Sequence, residues 1–359
     1  MNVYKNLRLG GTLTDITVEG GRIVAIGKTE KSGIDMKGAK VYPGFIDTHI
    51  HGCLGLDSSD PSCSLEVMSR FQLKNGVTTW YPTTVAVDAE ELVRLTNRDV
   101  SGIGGANIPG FHMEGPFLNV EKKGAINAEY IIPASLELFE RCNAKGLVKK
   151  MTLAPEVNGN VDVIDKLPTV VSVGHTTADY DTAALAFRRG AKCLTHTYNV
   201  MPGIHPREPG PIGAGADDPN VFAELICDGI HIHPSAVRML IRIFGVDRVV
   251  FVSDSIRAAG LSDGEYDLGG IMTTVKDGVA RTPGGNLAGS TATLLDCVKR
   301  AISFGIAEED AVKMATENPA RLMGLNKGRI EVGYDADMIF VDDDFNLLGV
   351  VLGGELCDE

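Results

Sequence analysis

The sequence predicts an α/β fold: a (β/α)8 barrel carrying a small β-sandwich made from both ends of the chain. Three observations predict it. Eight apolar, strand-like runs alternate with helical stretches through the middle of the chain. Both ends are β-rich yet too poor in apolar residues to build cores of their own. Polar residues that bind metals or move protons recur at the C-terminal ends of the runs, where such a barrel forms its active site.

At the start, Leu13–Val18 alternates, Glu19-Gly20-Gly21 turns the chain, and Arg22–Ile26 returns. At the other end, Gly328–Val332 and Ala336–Val341 read as strands before the polar turn Asp342–Asp344. Pairing the two ends gives one small domain, residues 1–44 with 328–359, around a TIM-like barrel of residues 45–327. The eight runs are centred on Gly44–His49, Thr78–Thr83, Ile108–Glu114, Lys150–Pro155, Val170–His175, Lys192–His196, Ala223–Asp228 and Arg248–Asp254. Continuous apolar runs of this kind suit parallel strands buried on both faces. Helix signals lie between them. Ser62 or Ser64 caps a helix with Leu65, Met68 and Phe71 on its apolar face, ended by Gly76. Asp179 caps Tyr180–Arg189, and Pro234 opens the helix that runs to Phe244. Pro209–Gly213 and Pro283–Asn286 read as turns or lid loops, since neither continues into the Gly-Lys-Ser/Thr of a phosphate loop.

Composition narrows the function. The chain has 359 residues, 34 basic against 47 acidic, and a net charge of -13. That argues against a nucleic-acid surface. No apolar run reaches the roughly 18 to 20 residues of a membrane helix, and no secretory signal opens the chain. Seven cysteines without a Cys-x-x-Cys pair suit a reducing cytoplasm. An anionic substrate would need local cations to hold it.

Five of the eight histidines fall at run ends or just beyond: His49, His51, His175, His196 and His231. Glu114 ends run three and Asp254 ends run eight. His49-Ile50-His51 puts two imidazoles on one strand face, where they can share a cation. Taken singly, each residue reads equally as a packed histidine, a cap or a solvated loop charge. Together on one rim they predict a divalent site, Zn or Fe, given imidazole and carboxylate ligands without thiolate. Asp254 beside it suits proton transfer in metal-assisted hydrolysis. Arg207 is either a solvated loop charge or an anion clamp. Cys53 reads as packing.

With these residues in place the chain resembles the amidohydrolase superfamily, and within it the group that deacetylates amino-sugar 6-phosphates. The resemblance spans nearly the whole chain. It rests on Pro43–Asp47 leading to His49-Ile50-His51-Gly52, on His112-Met113-Glu114-Gly115-Pro116-Phe117, and on Gly174-His175-Thr176. It continues through Thr195-His196 to Pro202, Arg207-Glu208-Pro209-Gly210, Asp228-Gly229-Ile230-His231, Ser253-Asp254 to Leu261, and Leu287–Ser290. The resemblance implies that Glu114, His175 and His196 hold one catalytic ion. His49 and His51 match the positions of a second ion found in some members. Asp254 matches the general base and acid, and His231 the residue that polarises the acetyl carbonyl or orients the sugar. Asn199, Val200 and Arg207 match the phosphate site, with Arg207 reaching into the neighbouring subunit of a homodimer. The implied reaction is hydrolysis of N-acetylglucosamine 6-phosphate to glucosamine 6-phosphate and acetate.

The group usually follows Lys-Lys-Gly-x with histidine, whereas here Lys122-Lys123-Gly124-Ala125 precedes Ile126. Either Asn127 substitutes or the sugar contact differs. Ser253 and Val200 stand where Thr and Ala are more usual. The alternatives are a related substrate such as N-acetylgalactosamine 6-phosphate, another amidohydrolase chemistry, and a non-catalytic binding protein on the same fold. A cyclic-amide hydrolase would bring a bridging Lys at the end of run four, which here ends Leu153-Ala154-Pro155-Glu156.

Overall fold

All eight runs form strands, in chain order around one parallel sheet: Phe45–Ile50, Val77–Thr84, Phe111–Glu114, Val148–Leu153, Val170–Val173, Cys193–Leu194, Phe222–Ile226 and Val249–Val252. The computed structural model describes residues 1–357. The ladder runs unbroken from the first strand to the eighth. Beyond the strand ends, backbone bonds close the mouth: Asp254 N donates to His49 O at 2.9 Å and His51 N to Ser255 O at 2.9 Å.

Helices cover the outside, placed largely where their caps predict. Ser64, not Ser62, caps Leu65–Lys74 by accepting from Val67 N, and Asp179 caps Tyr180–Arg188 by accepting from Thr182 N. The fourth connection departs from the pattern, with only a 3-10 segment, Val161–Lys166. Pro209–Gly213 is no simple turn. It opens the helix Gly210–Asp217, whose first turn accepts Pro211 because the backbone N–H that proline lacks would have no intrahelical partner there. After the eighth strand, an unforeseen antiparallel sheet, Gly264–Leu268, Ile271–Lys276 and Val279–Arg281, stands over the barrel mouth.

The chain ends share a second sheet. Lys40–Pro43 pairs antiparallel with Met338–Val341, and the strands on either side extend it to eight. Met338 and Phe340 face the core of this sheet beside Tyr4, Leu7 and Ile16. Ile339 and Val341 point the other way, into the barrel core, so the sheet is fixed to the barrel by period-2 alternation on one strand. Gly328–Val332 is irregular rather than a strand. Gly328 lies against the Thr316 carbonyl in a left-handed conformation (φ 80°), which the end of an outer helix imposes.

Candidate active site and metal centre

The strand ends deliver six ligand-type side chains to one place. His49 and His51 follow the alternation of the first strand, and Glu114 is the last residue of the third. The other three need a sharper device. His175, His196 and Asp254 each adopt a left-handed backbone, with φ of 48°, 28° and 47°. Such conformations cost about 1–3 kcal/mol each and persist where the surroundings fix them. Here they turn the chain at the end of the fifth, sixth and eighth strands and send the side chain into the mouth.

Glu114 sits at the centre. Its Oε1 is 3.1 Å from His175 Nε2, 3.0 Å from His196 Nε2 and 3.3 Å from His49 Nε2. Its Oε2 is 3.2 Å from His51 Nε2, and Asp254 Oδ1 is 3.2 Å from that same nitrogen. Two sets of three potential ligands result, Glu114 with His175 and His196, and His49 with His51 and Asp254. Burial would keep both carboxyls protonated. The imidazoles outweigh it, His49 first for each, holding Glu114 well below the usual range and Asp254 down to about 2.

The residues fit a divalent ion. His51 Nδ1 lies 3.1 Å from Thr83 O, His175 Nδ1 2.7 Å from Lys122 O, and His49 Nδ1 3.3 Å from Glu224 Oε2. Each outer nitrogen therefore donates away from the cluster and leaves Nε2 facing in, the arrangement of metal-binding histidines. His49 Nε2 is buried without a hydrogen-bond partner. His175 Nε2 and His196 Nε2 stand 3.2 Å apart, a contact between two nitrogens that a shared cation relieves. Ligands about 2.0–2.1 Å from a zinc ion stand about 3.3 Å from each other, which is the spacing found.

His231 faces the same cavity, of about 730 Å³. Its Nδ1 is 2.7 Å from Asp228 Oδ2. Burial lowers the imidazole pKa, but Asp228 prevails and raises it above the ordinary value. Asn199 and Val200 line the cavity too. Val200 holds φ 46°, unusual for a β-branched residue, while its carbonyl accepts from Thr176 N at 3.2 Å. Gly124 lets the loop above lie close, since a Cβ there would meet Val200 at 3.3 Å and His175 at 3.4 Å.

Arg207 is exposed on its loop and does not line the cavity of its own chain. Asn127 does not replace the missing histidine, because its side chain caps the short helix Ala128–Tyr130. Ile126 itself borders the cavity, 3% exposed and packed with Val85, Ala86 and Leu118. Cys53 is packing, buried in the barrel core.

Five contributors escaped the sequence reading. Asp228 orients His231, and Leu268 and Ile271 of the added sheet wall the cavity. Below the ligands, Glu224 and Lys150 pair inside the barrel, both fully buried. Burial would raise Glu224, but Lys150 and His49 bring it down to about 2. The visible signal was one acid or one base inside an otherwise apolar run.

The amidohydrolase family profile matches residues 41–357. The chain belongs to the amidohydrolase family. Among curated amidohydrolase relatives, it is 36% identical over 355 residues to an N-acetylglucosamine-6-phosphate deacetylase of Vibrio furnissii, covering 94% of this chain and 89% of that one. It is 32% identical over 354 residues to an N-acetylgalactosamine-6-phosphate deacetylase of Escherichia coli O157:H7, covering 95% and 94%. Its structure is similar to an N-acetylglucosamine-6-phosphate deacetylase from Pasteurella multocida (TM-score 0.92, 30% identity, 100% of both chains). It is also similar to a mutant N-acetyl-D-glucosamine-6-phosphate deacetylase from Mycobacterium smegmatis in complex with N-acetyl-D-glucosamine-6-phosphate (TM-score 0.90, 31% identity, 99% and 98%).

Proposed function

We propose that this amidohydrolase removes the N-acetyl group of N-acetylglucosamine 6-phosphate, giving glucosamine 6-phosphate and acetate. One observation carries the reading: Asp254, Glu114, His175, His196 and His231 converge on one cavity, in a chain similar over nearly all its length to proteins named for this reaction. Glu114, His175 and His196 would hold one divalent ion, zinc or iron, and His49 with His51 would hold a second beside Asp254. Such an ion acidifies water and polarises a carbonyl.

The chain's residues do the rest. Asp254, ionised and at the mouth, accepts a proton from the attacking water. The water oxygen bonds to the acetyl carbon. His231, in the protonated form that the Asp228 carboxylate favours, donates from Nε2 to the carbonyl oxygen as it gains charge. The C–N bond then breaks, and Asp254 returns its proton to the leaving amine. Asn199 and the strained Val200 turn receive the phosphate end. Arg207, exposed and turned from its own cavity, serves the neighbouring site of a homodimer. No helix among the described residues is long and apolar enough to cross a membrane. A reducing cytoplasm fits the buried cysteines in the barrel.

A second reading is the galactosamine epimer. The Escherichia coli relative bearing that name is nearly as similar, and Ile126 gives an aliphatic wall where a histidine is usual. The test is kcat/KM for both epimers with and without the 6-phosphate. The proposal expects the phosphorylated glucosamine derivative to be fastest. A faster phosphorylated galactosamine derivative would transfer the assignment to the epimer, and indifference to phosphate would overturn both.

A further inference from the structure

The barrel floor holds a charged pair that the reaction above does not use. Glu224 is the third residue of the seventh strand and Lys150 the third of the fourth; both are fully buried. Removing two charges from water costs several kcal/mol per ion, and apolar side chains of similar size are often as stable. Interior layers of such barrels are usually filled by branched apolar residues. Stability alone therefore does not account for the pair.

Glu224 is instead the meeting point of four donors. Lys150 Nζ bonds its Oε1, and Thr48 Oγ1 donates to the same oxygen at 3.2 Å. His49 Nδ1 and the His196 backbone N–H lie 3.3 Å from Oε2. Lys150 also donates to Thr48 O at 3.3 Å. One carboxylate thus grips one residue from each of the two ligand sets. It touches His49 on the ring and His196 on the left-handed backbone that aims its side chain.

We infer that Glu224, anchored by Lys150, is a positioning residue that fixes the His49 ring with Nδ1–H toward the barrel floor and Nε2 toward Glu114 and Asp254. An ionised carboxylate only accepts hydrogen bonds, so the proton must sit on Nδ1. The lone pair of the neutral ring then lies on Nε2, 3.3 Å from Glu114 Oε1 and 3.5 Å from Asp254 Oδ1. His112 packs edge-on against the ring at 4.6 Å and is itself held by Thr83 and Thr152. Thr83 O and Lys122 O orient His51 and His175 as neutral acceptors. Only His49 receives a full charge at Nδ1, which makes it the most basic donor of the set.

This inference rests on an ion being held at His49. Zinc affinity by chelator competition is measured for the wild type, Glu224→Gln, the charge-neutral double variant Lys150→Met with Glu224→Gln, and His49→Asn. In parallel, ¹⁵N-histidine NMR of the zinc-loaded wild type reads the ring proton of His49, assigned by its loss in His49→Asn. The expected results are a roughly 10- to 100-fold weaker zinc site in Glu224→Gln and in the double variant, and a proton on Nδ1 with none on Nε2. Wild-type zinc affinity in the folded double variant, or a bare Nδ1, would overturn the inference while the metal reading stands. If His49→Asn also binds zinc as the wild type does, no ion sits on His49, and the second-ion reading fails together with this one. The NMR result needs no destabilised variant, so a double variant that does not fold leaves the proposal open to refutation.

Discussion

Replacing Asp228 by Asn isolates one contact without moving any group that meets substrate. Asp228 Oδ1 accepts from Ile230 N at 2.9 Å and His231 N at 2.8 Å, and its Oδ2 is 2.7 Å from His231 Nδ1. Asn keeps the size and the two backbone bonds but turns an NH2 toward Nδ1. The ring must then offer a lone pair there, and the imidazolium is lost. A charged hydrogen bond contributes about 1.5–3 kcal/mol and a neutral one about 0.5–1.5, so the change weakens the donor by about 1–1.5 kcal/mol, or roughly tenfold in rate. Complete loss of such a donor costs about 10²- to 10³-fold, which bounds the effect.

The pH profile carries the sharper signature. Asp228 raises the His231 pKa above its ordinary 6.5 against burial. In Asp228→Asn burial is opposed by the Asp254 charge alone, so the alkaline limb of kcat should move to lower pH. The stability loss follows the same pair. His231 has a raised folded pKa, so its contribution is full below 6.5 and fades as pH rises through the folded value. Asp228 has a lowered one, so its contribution is full above 3.8 and fades as pH falls. The melting deficit should be largest between these limits and shrink on either side. An unmoved alkaline limb with wild-type kcat would refute the role given to His231.

Other perturbations have equally definite outcomes. Asp254→Asn should fold and keep zinc on Glu114, His175 and His196 while kcat falls about 10²- to 10⁴-fold; steady-state assay with metal analysis checks both. Arg207→Ala should raise KM for phosphorylated substrate and spare the unphosphorylated sugar, and mixing it with Asp254→Asn should restore activity only if Arg207 serves the partner's site. Ile126→Ala should cost about 2–4 kcal/mol of stability by opening a cavity among Val85, Ala86 and Leu118, read by denaturant unfolding. In chelator-stripped enzyme His49 is opposed by burial yet raised by Glu114 and Asp254 to about 9. Its contribution is full below 6.5 and lost toward 9, whereas zinc binding tightens over that range as imidazoles give up protons. The melting gap between loaded and stripped enzyme should therefore widen with pH; parallel curves would contradict this.

The barrel was legible because buried parallel strands write themselves as short apolar runs, and six of the eight ended at or just before a residue the chemistry needs. His49-Ile50-His51 announced its shared face by alternation alone. The ends were harder. Asn2–Leu9 carries Lys5 and Arg8 among Tyr4 and Leu7, and its pairing slips between Tyr4 and Leu7, so its period is broken. The added sheet after the eighth strand mixes polar and apolar residues on short strands, and nothing local says that it leans over the mouth. Glu224 and Lys150 are 74 positions apart in sequence. A lone charge in an apolar strand shows that a partner is required, and only the closed barrel shows which one. Arg207 marks the limit from the other side, since it lies exposed and outside the cavity lining of its own chain.

A cavity that cleaves an amide on an amino-sugar phosphate with the help of a divalent ion must release acetate and a free amine together, and only with the ion bound. The most direct measurement follows acetate and free amine from N-acetylglucosamine 6-phosphate, using chelator-stripped enzyme and the same enzyme reconstituted with Zn²⁺ or Fe²⁺. Equimolar acetate and glucosamine 6-phosphate, formed only after reconstitution, is the predicted result. Folded, metal-loaded protein that releases no acetate, or stripped protein that releases it equally fast, would contradict the account.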